Sequence, residues 1–260
     1  MNRVLFRFYA ELNDFLADGR RGRSFEREFA TAVSVKDAIE GLGVPHTEVD
    51  LVLVNGESVE FARQLRDGDR VSVYPVFESI DITPVLRLRP EPLREPRFVL
   101  DNHLGRLAAY LRMAGFDAVY RNDWQDAELA AASSRDRRIL LTMDRGLLKR
   151  SEITHGYLVR ETNPRRQLAE VIGRFDLAGA IQPFTRCLRC NVVLAPADRA
   201  SVAGRVPPRL EAAELHQCPD CGRVYWQGSH WRRMRQILEH AVAAGRPSAA
   251  TNEPAHPDQP

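Results

Sequence analysis

The pattern of apolar and polar residues between positions 98 and 147 predicts alternating strands and helices. A short apolar strand ends at Asp101, and the helix after it spaces its apolar residues at i, i+3, i+4 and i+7. These core-facing residues are Leu104, Leu107, Ala108 and Leu111. Gly115 is placed to end that helix. The elements that continue the alternation are a strand over 117–120, a helix from about Asp126, and an apolar strand over 139–142 followed by Met143 and Asp144.

Strands that alternate with helices in this way predict an α/β domain with a parallel sheet, because parallel strands need crossover connections. Residues just past the carboxyl ends of such strands share one crevice. Asp101 and Asp144 are both expected there, and carboxylates from two separate strands are suitable ligands for a divalent cation. The sequence therefore predicts a metal site at this edge of the sheet.

Residues 1–80 show the pattern of a separate small domain. The predicted elements are strands over 4–9, 26–29, 51–54 and 70–74, a helix over 35–42 that begins after Ser34, and a hairpin turn at Asn55 and Gly56. This order indicates an α+β domain of the β-grasp type. The proline-rich segment 81–97 is expected to be a semi-rigid linker, so residues 1–80 are expected to fold on their own.

The rest of the chain divides into three predicted regions. The α/β core is expected to span residues 98–180 and to include a helix over 165–175, opened by Asn163 with Pro164 at its first position. A cysteine-containing region and a helix over 229–244 are expected within 181–244. Residues 245–260, rich in Pro, Ser, Thr, Asn and Gln, are expected to be disordered.

The composition predicts a protein without a membrane-spanning segment. The 260 residues are 44% hydrophobic with a net charge of +2, and they contain no apolar run of about eighteen residues. The N-terminal sequence MNRVLFRFYA lacks the layout of a signal peptide. We therefore expect a cytoplasmic protein with no membrane partner.

Four cysteines in two CxxC pairs predict a structural zinc site. They are Cys187, Cys190, Cys218 and Cys221. Each pair can present two thiolates to one metal ion, and two pairs complete a tetrahedral site. Four unrelated buried cysteines are the alternative, and the repeated spacing makes it the poorer explanation. The long interval between the pairs implies an inserted loop that contains Pro207 and Pro208.

The segment 186–246 carries ten arginines and five acidic residues. A basic patch of this kind suits contacts with phosphates. A solvated helix face explains the same pattern equally well.

Acidic residues near the predicted strand and helix ends also have two explanations. The set is Asp101, Asp123, Asp126, Glu128 and Asp144. Asp is a common N-cap, and for Asp126 alone capping is the better explanation. Asn102 stands closer to the first helix than Asp101, which leaves Asp101 without a structural task. As a set these residues favour a metal site, because clustered like charges destabilise a fold unless a cation is bound.

Three segments of the core resemble a known ribonuclease family. FVLDNHLGRLAAYLRMAGFDAVY, DAELA and ILLTMDRGLL resemble the PIN-like ribonuclease domain first named from the C-terminal part of the Mut-seven exonuclease. In that family a zinc ribbon follows the nuclease core, and bacterial members often carry a ubiquitin-like domain in front. The resemblance implies a PIN-like three-layer α/β core with a parallel sheet, preceded by the β-grasp domain and followed by a zinc ribbon.

The resemblance also implies a reaction and residues for it. RNA phosphodiester bonds are hydrolysed in this family, with one or two Mg or Mn ions held by carboxylates. The implied catalytic residues are Asp101, Asp126 and Asp144, with Glu128 or Asp123 as a fourth acid and Thr142 as a hydroxyl that orients the site. The basic residues flanking these acids either hold the RNA backbone or are ordinary surface charges; they are Arg106, Arg112, Arg145 and Lys149.

The stretch VLVNGESVEFARQLRDGDRVSVYPVF resembles ubiquitin-like sulfur carriers of the ThiS and MoaD type. Those carriers use a free C-terminal Gly-Gly, which this stretch lacks, so a role in binding a protein partner fits better than sulfur transfer. The alternative to a ribonuclease is a non-catalytic adaptor that binds RNA or protein through the zinc ribbon and the β-grasp domain. Acids at all three matched positions argue against the adaptor.

Overall fold

A computed structural model of the chain describes residues 1–75, 96–202, 204–207 and 214–245. The predicted linker over 81–97 lies outside these residues except at its last two positions, and the predicted tail lies outside them after Gly245. The loop between the CxxC pairs is described in part, and its Pro208 lies outside the described residues. Among the residues described, no helix has both the length and the apolar character needed to cross a membrane.

The first sheet is built from residues 2–75. Its strands are β1 (Asn2–Phe8), β2 (Phe25–Phe29), β3 (Val49–Val54), β4 (Glu57–Ser58) and β5 (Arg70–Pro75), and helix α1 (Val35–Gly41) lies between β2 and β3 in the chain. The spatial order is β2-β1-β5-β3-β4, with β1 antiparallel to β2 and parallel to β5. Ser34 caps α1 as predicted, because its Oγ accepts a hydrogen bond from the Asp37 N–H at 3.1 Å. This β-grasp-like arrangement confirms the predicted class.

The second sheet is parallel and forms the middle layer of an α/β core. Its elements in chain order are β6 (Phe98–Leu100), α2 (Gly105–Met113), β7 (Ala118–Tyr120), α3 (Asp126–Arg135), β8 (Ile139–Thr142), β9 (Gly156–Leu158) and α4 (Pro164–Arg174). The strands lie in the order β7-β6-β8-β9, and every neighbouring pair is parallel. Phe98 and Leu100 pack with α2 and α4, whereas Val99 and Leu140 pack with α3 on the other face. The predicted α/β class is confirmed.

The local signals of the sequence account for the helices of this core. The residues predicted for the buried side of α2 are Leu104, Leu107, Ala108 and Leu111, and all four are fully buried. Gly115 follows α2 with a φ of +98°, and a Cβ there would lie 2.2 Å from the Gln182 carbonyl oxygen. Asn163 caps α4 by accepting a hydrogen bond from the Arg165 N–H at 3.0 Å.

The C-terminal helix α5 (Ser229–Gly245) packs on α4 of the α/β core. The two backbones approach closely, since a Cβ on Gly173 would lie 2.4 Å from the Gly245 carbonyl oxygen. Leu238 and Ala241 of α5 are buried in the same apolar cluster as α4. The helix expected to accompany the cysteine region therefore also completes the α/β core.

A small antiparallel sheet carries the cysteine region. Its strands are β10 (Ala195–Pro196), β11 (Leu215–Gln217) and β12 (Val224–Trp226), in the order β10-β11-β12. An isolated antiparallel bridge between Arg186 and Val193 closes the turn that bears the first CxxC pair. Paired hairpins carrying cysteines are the framework of a zinc ribbon, as predicted.

The N-terminal domain shares an apolar cluster with the α/β core. On the core side this cluster includes Leu148, Ile153 and Leu158, which join the buried side chains of the first sheet. Polar contacts reinforce it, because the Leu158 N–H of edge strand β9 donates to Glu48 Oε1 at 2.6 Å. His46 Nε2 also lies 2.9 Å from the Ile153 carbonyl oxygen. The two domains therefore pack against each other, and the independent folding of residues 1–80 stays a prediction.

Candidate functional site

Asp101 lies directly after β6 and is buried, with 5% of its surface exposed. Its Oδ1 accepts a hydrogen bond from the His103 N–H at 2.8 Å, and its Oδ2 accepts one from the Met143 N–H at 3.1 Å. The hydroxyl of Thr142 also donates to Oδ2. Asp101, and not Asn102, thus caps the turn before α2 and joins the ends of β6 and β8. The interpretation that Asp101 has no structural task is wrong.

Asp144 lies two residues past the end of β8 and is exposed. Its N–H donates to Thr142 Oγ1 at 2.9 Å, and its Oδ1 accepts from the Gly146 N–H at 2.7 Å. The fully buried hydroxyl of Thr142 therefore contacts both the Asp101 carboxylate and the Asp144 backbone. One hydroxyl links the two acidic positions that the strand pattern predicts for the same sheet edge.

The acidic residues around the start of α3 differ in their hydrogen-bond partners. Gln125 is the N-cap, and Glu128 completes a capping box by accepting a hydrogen bond from the Gln125 N–H at 2.8 Å. Asp123 accepts two hydrogen bonds from the guanidinium of Arg121, at 2.9 and 2.7 Å. Asp126 occupies the first helical position and is exposed. Glu128 and Asp123 thus have structural partners, and Asp126 is not the cap.

The carboxylates are not gathered as tightly as a closed metal site. In the described ranges, the four cysteines are the only group of three or more Cys, His, Asp or Glu residues whose ligand atoms all lie within 4.8 Å of one another. The donor chemistry still fits a hard cation, because Mg²⁺ keeps several water ligands and is held by one or two carboxylates. Asp126 and Asp144 are exposed, as such a hydrated ion requires.

The four cysteines form a compact centre at the base of the ribbon. Cys187 and Cys218 are buried, and Cys190 and Cys221 are half-buried. The Sγ atoms of Cys187 and Cys221 are 3.7 Å apart. Zinc–sulfur bonds of about 2.3 Å in a tetrahedron place sulfurs about 3.8 Å apart. The cluster therefore has the size of a zinc site, and these four residues can bind zinc.

The electrostatics of this centre also favour a cation. Burial acts to raise the pKa of the Cys187 thiol, but hydrogen bonds from the Tyr225 hydroxyl and the Cys190 and Arg189 N–H groups outweigh it and lower this pKa to about 6. Burial raises the pKa of Cys190 to about 12, and nearby Cys221 and Cys187 add to this effect. A thiolate is the metal-binding form. Several thiolates at this distance repel one another until a cation is bound.

Comparison with known families identifies both halves of the molecule. Residues 96–238 match the model of the Mut7-C RNAse domain, and residues 1–81 match the model of the Mut7-C ubiquitin domain. The chain belongs to the Mut7-C RNAse domain family. The family named by the sequence resemblance is thus confirmed, and the match indicates a ribonuclease-like function.

Individual proteins offer little similarity beyond the family match. No curated protein matches the chain significantly. A crystal structure of the H. volcanii small archaeal modifier protein 1 is similar at 19% identity, covering 29% of this chain and 98% of that protein with a TM-score of 0.24. A TM-score this low supports no conclusion about the fold or function of this chain.

Arg112 fastens the cysteine region to the Mut7-C core. It is buried, its Nε donates to the Ala118 carbonyl oxygen at 2.8 Å, and its Nη1 donates to the carbonyl oxygens of Leu188 and Arg189 at 3.0 and 2.8 Å. Burial lowers its pKa, and the nearby Cys187 acts in the opposite direction. The prediction that Arg112 holds the substrate is wrong, because its guanidinium is occupied inside the protein.

The other predicted substrate-binding residues of the Mut7-C domain lie in different settings. Arg106 is exposed on α2. Arg145 is exposed, and its guanidinium lies 5.1 Å from the ring centre of Phe15 in the N-terminal domain. Lys149 donates to the Glu40 carbonyl oxygen at 3.1 Å and so contributes to the contact between domains. Arg106 and Arg145 remain accessible to a ligand at the carboxylate edge.

Sequence reasoning missed the residues of the Mut7-C ubiquitin domain that contact strand β9 and the segment before it. Glu48 is fully buried, and its Oε2 has no hydrogen-bond partner. Burial raises the pKa of its carboxyl group, while the Leu158 N–H and the charge of Arg174 oppose that shift. His46 Nδ1 lies 2.6 Å from Glu40 Oε1. A polar run such as His46-Thr47-Glu48 gives no local sign that a distant strand will bury it.

Proposed function

We propose that this protein is a metal-dependent ribonuclease whose site is the carboxylate edge of the parallel sheet. The observation that supports this most directly is the Thr142 hydroxyl, which donates to Asp101 and accepts from the Asp144 N–H. A buried hydroxyl that joins the Asp101 carboxylate to the Asp144 backbone holds the ends of two separate strands together at the acids, and a capping role for Asp101 alone does not require this link. The family match supports the same chemistry.

The residues proposed to hold Mg or Mn are Asp101, Asp126 and Asp144. Such an ion, when bound, acts as a Lewis acid on a phosphoryl oxygen and lowers the pKa of a bound water. Asp101 has a fixed direction because three donors hold its two oxygens. Asp126 and Asp144 are exposed and can adjust. Thr142 orients Asp101, and Glu128 orients the first turn of α3 and thereby Asp126.

We propose that the substrate backbone lies along the exposed side of this edge. Of the four basic residues predicted to contact the substrate, Arg106 and Arg145 are exposed. Their charges complement phosphates and orient the strand without reading its sequence. Lys149 contributes less directly, because its ammonium group already donates to the N-terminal domain.

We propose a structural role for zinc at the cysteine centre. The support is a compact set of four thiols in two CxxC turns, which leaves no ligand position open for a substrate. A protein partner of the ubiquitin-like domain would use a face other than residues 40–48, because His46, Thr47 and Glu48 are buried.

The second candidate is a non-catalytic adaptor that binds RNA or protein. The observation that favours it is that, in the described part of the chain, the carboxylates do not form a group whose ligand atoms all lie within 4.8 Å of one another. It differs from the ribonuclease in one measurable property, which is cleavage that depends on Mn²⁺ or Mg²⁺ and on the acids.

The deciding experiment is Mn²⁺-dependent cleavage of a fluorescently labelled RNA by wild type and by Asp144→Asn. The Asn side chain keeps an oxygen for the Gly146 N–H but removes the charge that a hard cation requires. Asp123→Asn is the matched control, since Asp123 is exposed and paired with Arg121. We expect activity to fall to background in Asp144→Asn and to persist in Asp123→Asn. Full activity in Asp144→Asn would end the ribonuclease proposal.

A further inference from the structure

Two depressions flank the aromatic residues where the ribbon meets α5. The first has a volume of about 520 Å³ and lies against the turn at Gly222, strand β12 and the start of α5. The second has a volume of about 350 Å³. Tyr225, Trp226 and Trp231 line both of them. The ribbon therefore presents aromatic side chains inside a surface groove.

The aromatic rings in this groove are partly exposed and held in place. Trp226 and Trp231 are half-buried. Trp231 packs against Phe184, with ring centres 5.2 Å apart, and the Arg235 guanidinium lies 5.5 Å from its ring centre. Structural zinc and β-sheet pairing account for Tyr225, whose hydroxyl contacts Cys187. Sheet pairing also involves the backbone of Trp226, opposite Leu215, but neither zinc nor pairing accounts for the partly exposed rings of Trp226 and Trp231.

The charge of the groove is complementary to a polyanion. Arg205, Arg223 and His230 line the first depression, and none of its lining residues is acidic. Arg205 is fixed by hydrogen bonds to the carbonyl oxygens of Gly222 and Ser201. Arg223 is exposed. Glu214, which lines the second depression, is the one acidic residue that lines either depression in the described part of the chain.

We propose that this ribbon groove, formed by Arg205, Arg223, Tyr225, Trp226, His230 and Trp231, binds single-stranded RNA. Unpaired bases stack on aromatic side chains, while the backbone follows the positive residues. A duplex has no free base faces to offer Trp226 and Trp231. The choice of RNA as the polynucleotide rests on the proposed function, whereas the requirement for unpaired bases rests on the groove itself.

The groove and the carboxylate edge lie at different ends of the sheet. The ribbon is fastened where β7 begins, since the Ala118 N–H donates to Asn191 Oδ1 at 3.0 Å and Arg112 joins the same region. Asp101 and Asp144 instead follow the carboxyl ends of their strands. The groove is therefore a second contact for the RNA, and a strand that spans both places gains affinity from both.

The test is a binding measurement that does not require cleavage. An oligouridine of about twelve nucleotides, labelled with fluorescein, is titrated with the full chain carrying Asp144→Asn, and anisotropy gives the Kd. Trp231→Ala is expected to weaken binding roughly five- to 150-fold, the range for loss of one stacked base. Trp231→Phe keeps a ring and is expected to remain within about threefold of the parent.

Charge is tested separately by the salt dependence of binding. Arg223→Gln is expected to lower the slope of log Kd against log salt concentration by about 0.7, which is one phosphate contact to a single strand. Arg166→Gln, an exposed arginine on α4, is the matched control and is expected to leave the slope unchanged. Zinc content and melting temperature are measured for every variant. If Trp231→Ala loses zinc or stability, Arg223→Gln decides the result.

The ribbon-groove proposal would be overturned if Arg223→Gln and Trp231→Ala each bound the RNA as tightly as their parent does. A preference of the parent for duplex over single-stranded RNA would also overturn it. The outcome is separate from that of the ribonuclease proposal. Loss of cleavage in Asp144→Asn together with unchanged binding in the groove variants would overturn the groove alone. Weakened binding in those variants beside full cleavage by Asp144→Asn would instead overturn the ribonuclease proposal alone.

Discussion

The cysteine centre and the carboxylate edge differ in how completely the fold assembles them. The four thiols lie within 4.8 Å of one another, whereas the acids of the carboxylate edge meet no such limit among the described residues. Two of the four cysteines are buried, whereas Asp101 is the only buried residue among the three proposed acids. Structural zinc sites are closed, and catalytic metal sites keep positions open for water and substrate. The compact centre thus suits a structural ion and the open edge a catalytic one.

The same comparison extends to the residues that support each site. Around the thiols, support comes from the turn backbone and from Tyr225. At the carboxylate edge, support is concentrated on Asp101, which accepts two N–H groups and the Thr142 hydroxyl. Asp101 therefore combines the fixed position of a structural residue with the chemistry of a ligand. Variants can separate these two properties.

The largest effect is expected from breaking the cysteine centre. Cys218→Ser removes a buried ligand, and structural zinc stabilises small zinc-dependent folds by on the order of 10 kcal/mol. We expect the variant to lose its zinc and to unfold the ribbon, with a lower melting temperature for the whole chain because α5 packs on α4. Ser201→Ala, an exposed change in the same region, is the control. The prediction would be contradicted if wild-type protein, purified under reducing conditions, contained no bound zinc.

The next effect separates Asp101 from Asp144. Asn in place of Asp101 leaves one oxygen, so its NH₂ group faces either the His103 N–H or the Thr142 hydroxyl and the Met143 N–H. Leaving a buried donor unpaired costs about 1–3 kcal/mol. We expect Asp101→Asn to lose both metal-dependent cleavage and about that much unfolding free energy, measured in urea. Asp144→Asn should lose cleavage with little change in stability. Equal stability of the two variants would show that the hydrogen bonds to Asp101 contribute little.

The sequence predicts local structure here better than it predicts long-range contacts. The spacing of Leu104, Leu107 and Leu111 fixes a buried helix face, and the Asn163-Pro164 pair fixes the start of α4. The CxxC pairs likewise fix their own turns. Each of these signals lies within a few residues of what it determines, which is why the classes of the two folds could be predicted.

Contacts between distant segments are where sequence reasoning fails. Arg112 looks like a surface charge of α2, but it donates to Leu188, 76 residues away. In the sequence Asp101 has no evident hydrogen-bond partner, because Thr142, which donates to it, is 41 residues away. Glu48 is buried against Leu158, 110 residues away, and accepts a hydrogen bond from its N–H. No local pattern carries these pairings, since they follow from how finished elements pack.

A third prediction concerns the contact between the domains. Burial raises the pKa of Glu48 above its ordinary value of 4.5. The native state then binds this proton more tightly than the unfolded state, so its contribution to stability is complete below pH 4.5 and is lost as pH rises through the raised pKa. We expect Glu48→Gln to be more stable than wild type at pH 8 and to lose this advantage toward pH 4.

This comparison is measured by urea unfolding at several pH values. Gln keeps an oxygen for the Leu158 N–H but carries no charge. Glu57→Gln, an exposed change in the same domain, is the control and should show no such pH dependence. A Glu48→Gln variant that is less stable than wild type at every pH would mean that the carboxylate is stabilised in place by the nearby arginines.

The smallest effect is expected at Glu128. This prediction distinguishes a residue that only supports helix α3 from one that binds the metal ion. Glu128 accepts a hydrogen bond from the Gln125 N–H in a capping box, and Gln serves equally well at that position. We therefore expect Glu128→Gln to keep both cleavage and stability, whereas Glu128→Ala should lose about 1 kcal/mol of unfolding free energy with the cap. A fall of tenfold or more in the cleavage rate of Glu128→Gln, with an unchanged melting curve, would make Glu128 a direct ligand. In that case the carboxylate edge would require four charges, and the structural explanation of Glu128 would be insufficient.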